Sequence, residues 1–258
     1  MAHRQPGRLA RAPEDSEPSM NEPELTHLAD HGLLNPVLAE LLYASVQAGM
    51  NLLIAGPPDS GRTTLLGALG RAVPAHQRIA TLEPVPQLNL LGPGRQVIEL
   101  TGPNATDLIP LAMRHSVHRV LIDAPDGDAA VLLQALSAAS GSMFTLTAGH
   151  PRDALNQLVA QAAVLYDTRA AAGLVGWAVD LFVQLDSHVT AGGHRRFVSH
   201  LYEAHPDENG VALREVFAPV PGQPRAVFRN LPARINELEH AGFNRAWLTD
   251  ATRTWGPW

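Results

Sequence analysis

Gly56-Pro57-Pro58-Asp59-Ser60-Gly61-Arg62-Thr63-Thr64 follows an apolar run, Asn51-Leu52-Leu53-Ile54-Ala55, and opens into a helix-like stretch from Thr64 to Leu69. An apolar strand, a loop bounded by glycines and a helix start, in that order, make the setting of the phosphate-binding pattern G-x-x-x-x-G-K-[ST]. In such a loop the backbone N–H groups wrap around phosphates and the positive end of the following helix faces them. A lysine bridges the outer phosphates and a Ser/Thr hydroxyl binds Mg²⁺. Here Gly56, Gly61 and Thr63 keep the turn points and the hydroxyl, but Arg62 stands where the lysine belongs and Asp59 places an acid in the loop. Arginine keeps the charge with a planar, bulkier head. A carboxylate at roughly 4 Å from a phosphate charge, at an effective dielectric near 20, costs about 4 kcal/mol before screening. An ion pair between Asp59 and Arg62, or another arginine, is the alternative arrangement.

Working outward, strand-like apolar runs recur at Asn51–Ala55, Arg78–Leu82, Gln96–Leu100, Arg119–Ile122 and Ser142–Leu146. Helix-like stretches separate several of them: Arg62–Ala72, Asp107–His115, Asp128–Ala139 and Pro151–Ala163. This alternation predicts parallel βαβ units buried on both faces. Before the loop, Glu24–Asp30 and Asn35–Met50 have helical spacing, with Leu38, Leu41, Leu42 and Val46 on one face. Past Gly173 the pattern changes. Trp177–Leu185, Arg195–Ala204 and Val211–Phe217 read as antiparallel strands, the first two joined by a turn around Gly192-Gly193, and a short helix follows at Pro232–Ala241. The domain reading is a disordered tail over 1–23, linker helices over 24–50, a core over 51–173, β-strands and a helix over 174–246, and a tail over 247–258.

The 258 residues suffice for one sizeable α/β domain, and 45% hydrophobic content supports a packed core. A net charge of −6 with no basic block argues against a nucleic-acid partner. Without cysteine, neither disulfides nor thiolate metal sites are available. No apolar run approaches the roughly 20 residues that span a bilayer, and the Arg/Pro/Glu/Ser-rich start lacks the apolar stretch of a signal peptide. All 19 basic residues are arginine, in keeping with the coding bias of a GC-rich genome. That bias is a plain explanation for Arg62.

Several segments together resemble the secretion ATPases of type II/type IV systems, most closely the CpaF-like branch that powers Tad/Flp pili. Gly32 to Leu42 (GLLNPVLAELL) looks like that family's linker helix, Gly141 to Ala148 (GSMFTLTA) like its GSMSTIHA segment, and Pro151 to Leu155 matches its PRDAL. Leu133-Gln134-Ala135-Leu136 matches the helix before the histidine motif, and Ala178 to Val183 resembles its late AIDVIV strand. The resemblance covers roughly Leu25 to Leu248. It implies a RecA-like three-layer P-loop core with a short helical N-terminal extension and a small C-terminal β and helical part. It further implies ATP and Mg²⁺ as cofactors and residues Gly56 to Thr64 (Gly56, Pro57, Pro58, Asp59, Ser60, Gly61, Arg62, Thr63, Thr64) as the nucleotide loop. Thr63 and Asp123 become the Mg²⁺ ligands, and Glu83 and Asp123 the catalytic candidates.

The departures are as informative. Members of the family usually carry a substantial N-terminal domain over the nucleotide, whereas little precedes the linker helix here. Glycine is usual where Asp59 stands. In the acidic box Glu83 survives, with Pro84 and Gln87 in place of later acids; the polar loop with its arginines shortens to Thr101–Thr106; Asp123 stands where a glutamate is expected; and Thr147 replaces the histidine. His150, three residues on, is out of register and reads as a helix start. Glu83 before Pro84 reads from its neighbours as a solvated loop residue, Asp123 as a loop cap or a metal ligand, and His194-Arg195-Arg196 as a solvated turn. The four tryptophans read as core or contact residues. Four altered positions at one site (Arg62, Pro84, Asp123, Thr147) predict an impaired ATPase. Such a protein would act as a regulatory or structural subunit in a cytoplasmic, membrane-apposed oligomer with secretion ATPase subunits and inner-membrane platform proteins. A working ATPase and a nucleotide-independent scaffold are the alternatives.

Overall fold

The computed structural model describes residues 23–123, 133, 136, 140–190, 193–208 and 210–255. Two helices, α1 (Pro23–Asp30) and α2 (Pro36–Gln47), precede strand β1 (Leu52–Gly56). Asn35 starts α2: its backbone is extended, its side chain accepts from Leu38 N at 2.7 Å, and Pro36 fills the first helical position where an N–H is not needed. The loop then leads to α3 (Arg62–Ala72), followed by β2 (Arg78–Glu83), β3 (Gln96–Thr101), a 3₁₀ turn and α4 (Ile109–Arg114), and β4 (Arg119–Ile122). After β5 (Met143–Thr147) come α5 (Pro151–Ala162), α6 (Thr168–Ala178), β6 (Leu181–Thr190), β7 (Gly193–Asp207), β8 (Gly210–Val220), β9 (Gln223–Phe228) and α7 (Ile235–His240). Most of the predicted helix at Asp128–Ala139, the Gly192 turn position and residues 1–22 of the predicted tail over 1–23 lie outside the described residues; Pro23 begins α1, and Leu133 and Leu136 are buried.

Among the described residues, nine strands join one sheet in the order β3-β2-β4-β5-β1-β6-β7-β8-β9. From β3 to β6 the pairings are parallel, and from β6 to β9 antiparallel. β1 is thus the centre, parallel to β5 on one side and β6 on the other, and all five of its residues are buried. Its position in the interior explains a run of apolar residues with no alternation. One core (Leu38, Leu42, Leu65, Leu69, Val183 and neighbours) packs α1, α2, α3 and α7 on one face, and a second (Phe144, Leu158, Val175, Phe182) packs α5 and α6 on the other. The three layers and the parallel half match the expected class.

The region after α5 differs from the sequence reading. Residues 168–178 form α6, so Trp177 is helical and not the start of a strand; Asp167 caps the helix by accepting from Ala170 N at 2.9 Å. The change of pattern at Gly173 falls inside that helix. Trp177 is 77% exposed, so it is not a core residue, while Trp247 and Trp255 pack against the first core. In the predicted tail, Trp255 Nε1 donates to Ala226 O at 2.6 Å.

The base of β1 is tied by Asn51. Its amide donates to Leu136 O and Ala178 O, its side-chain oxygen accepts from Ser142 N, and its backbone N–H donates to Asp180 at 2.7 Å. The rear of α3 is clasped in turn. Arg95 donates to the carbonyls of Gly70, Arg71 and Val73, a cation set against the negative end of the helix. Arg71 pairs with Glu24 of α1 and donates to Leu88 O at 2.9 Å. At Gly70, α3 approaches β4 so closely that a Cβ would lie 2.7 Å from Leu121 Cδ2 and 2.8 Å from Leu90 Cδ1.

Candidate nucleotide site

The predicted phosphate loop crosses from the end of β1 to the start of α3 over the carboxyl edge of the parallel strands, the edge where open α/β sheets bind ligands. Gly61 has φ +96° and no side chain caps the N-terminus of α3, so the first turn of the helix is open to an acceptor from outside. Two observations test whether phosphate fits the cradle. Ser60 Oγ is buried with no protein partner, a polar group held for something else. At Gly56 a Cβ would fall 2.4 Å from that same oxygen, so only glycine leaves the loop its shape. The cradle fits phosphate.

Two of the predicted loop residues behave differently from one another. Arg62 turns its guanidinium inward, donating to Gly56 O of β1 and to Leu146 O of β5. Asp59 is exposed, has φ +60°, and makes no ion pair among the described residues. The alternative Asp59–Arg62 ion pair is therefore not formed: Arg62 reaches the strand carbonyls of Gly56 and Leu146 while Asp59 is exposed. Pro58 and Thr64 are exposed and Pro57 half-buried.

Asp123 follows β4 directly, and its carboxylate links the predicted metal-side residues. Thr63 Oγ1 donates to Asp123 Oδ2 at 2.6 Å, and Thr145 Oγ1 of β5 donates to Asp123 Oδ1 at 2.6 Å. Both are short, as charge-assisted bonds are. Thr63 and Asp123, 60 residues apart in sequence, are thus brought together as one unit. With its proton given to Asp123, the Thr63 oxygen keeps lone pairs for a cation. Thr145 is a participant that the sequence did not single out: between Phe144 and Leu146 it reads only as a strand residue. Thr147 ends β5 opposite Gly56.

Glu83 corrects the solvated-loop reading. It ends β2, which is flanked by β3 and β4, and it is 1% exposed. Its Oε1 accepts from Gln87 N at 2.8 Å and Leu88 N at 3.0 Å, closing the turn after Pro84. Burial pushes its pKa above the usual glutamate range; the two backbone donors pull it down, and the nearby Asp123 and Glu99 add to the rise. Register places it beside Asp123, since Leu82 pairs with Ile122 and Asp123 N donates to Leu82 O at 3.0 Å.

His150 caps α5, accepting from Arg152 N at 3.2 Å, as a helix start requires. Its ring meets His200 of β7 edge-on, 5.7 Å between centroids. Burial first, and then His150, lower the His200 pKa. Among the described residues no group of three His, Cys, Asp or Glu side chains is placed to hold a metal by itself, and no helix there is long and apolar enough to cross a membrane.

No protein-family model matches the chain. The chain is 32% identical over 181 residues to the type IV secretion system protein PtlH of Bordetella pertussis, an alignment covering 63% of this chain and 53% of PtlH. It is 28% identical over 171 residues to protein VirB11 of Agrobacterium fabrum, covering 60% of this chain and 49% of that one. The chain therefore spans about half the length of the curated relatives it matches. Among solved structures, the VirB11 ATPase of the Brucella suis type IV secretion system, in complex with sulphate, superposes with a TM-score of 0.59 at 24% identity, covering 80% of this chain and 68% of that one. The Legionella pneumophila ATPase DotB superposes at 0.52 with 17% identity, covering 65% and 49%. The structural likeness establishes the fold, a RecA-like three-layer α/β core shared with those solved proteins. The sequence likeness is to type IV secretion system proteins.

Proposed function

We propose that this chain is a nucleotide-binding, hydrolytically impaired relative of the type IV secretion ATPases. It would serve as a regulatory or structural subunit of a cytoplasmic, membrane-apposed secretion or pilus motor. The observation that carries the reading is the Thr63–Asp123–Thr145 unit at the mouth of the phosphate loop. Residues 56–64 would hold the phosphates of ATP, and Thr63 with Asp123 would hold Mg²⁺, whose chemistry there is to neutralise charge on the outer phosphates. The retained unit supports binding. Two features support impairment: Asp123 has both oxygens engaged by threonines, and Thr147 stands in the histidine position with no proton-handling group of its own.

Glu83 favours a second reading, a working ATPase. A buried carboxylate beside Asp123 with a raised pKa has the signature of a functional acid or base. Paired binding and turnover measurements separate the two. Calorimetry with Mg-ATP on the wild type should show binding that Thr63→Ala and Asp123→Ala weaken, while phosphate release stays near background. Turnover of about 1 s⁻¹ or more, in the ordinary enzymatic range, that disappears in Asp123→Ala and Glu83→Gln would overturn the impaired reading. Absence of any Mg-ATP binding, even after Arg62→Lys with Asp59→Gly, would leave a scaffold.

A further inference from the structure

A cavity of about 590 Å³ is lined by strand β9, the start of α2 and the 3₁₀ turns Arg245–Thr249 and Ala251–Arg253, with no residue of the phosphate loop among its walls. Each of its two arginines lies on a tryptophan. Arg225 Cζ is 4.9 Å from the centre of the Trp255 ring, and Arg253 Cζ is 4.3 Å from that of Trp247. The indoles are fixed in turn: Trp255 Nε1 donates to Ala226 O at 2.6 Å, and Trp247 meets Phe243 edge-on, 5.7 Å between centroids. Phe217 and Phe228, an edge-to-face pair, add apolar lining.

The charge of this lining is uneven. Arg225 is 8% exposed, and its burial disfavours the charged form. Asp250 is the one acid among the described lining residues, and it is engaged locally. Its Oδ1 accepts from Thr252 N at 2.9 Å and from Thr252 Oγ1 at 2.7 Å, and its Oδ2 lies 3.9 Å from Arg253 Nε. Two guanidinium groups against one carboxylate leave the cavity with one positive charge in excess, in a chain of net charge −6. A guanidinium stacked on a ring keeps its N–H donors in its own plane, so they stay able to grip a carboxylate by two parallel bonds. The volume lies within the range of small-ligand sites.

We propose that this cavity is a binding site for a small aromatic carboxylate, whose single charge is taken by Arg225 and Arg253 and whose flat ring lies among the aromatic walls. The single excess charge selects a monoanion, because a phosphate monoester would bring a second charge with no counter-ion in a partly buried site. The site is separate from the phosphate loop and does not depend on whether that loop holds a nucleotide. The segment that reads from sequence as an aromatic tail is thereby a wall of a ligand site.

The test follows the indole N–H signals of the full chain, labelled with ¹⁵N-tryptophan, by NMR during titration with 2-naphthoate; Trp247→Phe and Trp255→Phe assign the signals. Those of Trp247 and Trp255 should shift together and saturate with a Kd of about 1 mM or tighter, while that of the exposed Trp177 on α6 stays in place. Neutral 2-naphthol should bind about tenfold more weakly, and Arg225→Gln and Arg253→Gln should each weaken naphthoate about tenfold. Should Arg225→Gln fail to fold, Arg253→Gln carries the same test, its side chain being one-third exposed. No saturating shift up to about 5 mM, equal binding of naphthol, or unchanged binding in the arginine variants would overturn the proposal. Tighter binding of 2-naphthyl phosphate at the same indoles would overturn the assignment to a carboxylate. Displacement of naphthoate by Mg-ATP would place the probe on the phosphate loop and also overturn it.

Discussion

Removing the Asp123 carboxylate should cost stability as well as ligand affinity, because it is the common acceptor of two hydroxyls from different elements. Thr145 is 1% exposed and Thr63 half-buried, and each bond is 2.6 Å long. A hydrogen bond to a charged group contributes about 1.5 to 3 kcal/mol. Asp123 is itself half-buried, so the lower end applies and the pair sums to about 3 kcal/mol. In Asp123→Ala the Thr145 hydroxyl is left buried without its acceptor. With a urea slope near 2 kcal/mol per molar, the unfolding midpoint should fall by about 1.5 M. A double-mutant cycle between Asp123→Ala and Thr145→Val isolates the inner bond and should return a coupling of about 1.5 kcal/mol. Asp123→Asn, which keeps an acceptor, should lose about half as much. A loss under about 1 kcal/mol in the alanine variant, with a coupling near zero, would refute the claim that this unit is held by charge-assisted bonds.

Three further outcomes follow from individual positions. Gly70→Ala should destabilise by about 1–2 kcal/mol, since the overpacking against Leu121 and Leu90 exceeds the gain in helix propensity; Gly173→Ala, in α6 with nothing within 4 Å, should stabilise by up to about 1 kcal/mol. Thermal melts of the two variants, shifting in opposite directions, check this. The folded-state pKa of Glu83 is raised, so its contribution to stability is full below the ordinary glutamate pKa and is lost as pH rises through the raised value; Glu83→Gln should flatten that part of the stability–pH curve, and an unchanged slope would count against a buried, charge-disfavoured carboxyl. Asp59→Gly should tighten Mg-ATP binding by about fivefold, the size of a screened, solvent-exposed repulsion, and the gain should shrink as salt is raised.

The central part of this architecture was legible because its signals are local. An apolar pentad, a glycine-bounded loop and a helix start are read directly from Leu52 to Ala72, and Pro36 and Pro151 mark helix starts by the donor they lack. What was not legible depends on neighbours far away in the chain. Glu83 reads as solvated beside Pro84, and only the insertion of β2 between β3 and β4 buries it. Thr145 became a partner of Asp123 because β4 and β5 are adjacent, a pairing that no spacing announces. Residues 168–178, rich in alanine with one tryptophan, lack the charged face that marks a surface helix, so the end of α6 at Trp177 reads from sequence as the start of a strand. Arg62 presented a choice between phosphate and Asp59; the carbonyls of Gly56 and Leu146 are a third destination that requires two strand ends side by side.

The helix behind the phosphate loop has unequal ends. Its tail is gripped by Arg95 on three carbonyls and tethered through Arg71 to the first helix, whereas its head meets the loop with no cap. The side chains of that head are nonetheless anchored, Arg62 on the carbonyls of Gly56 and Leu146 and Thr63 on Asp123. A rod fixed at both ends does not swing, so an anion arriving at the uncapped backbone would meet a helix already set in place, and the cost of ordering the site would fall on the loop alone.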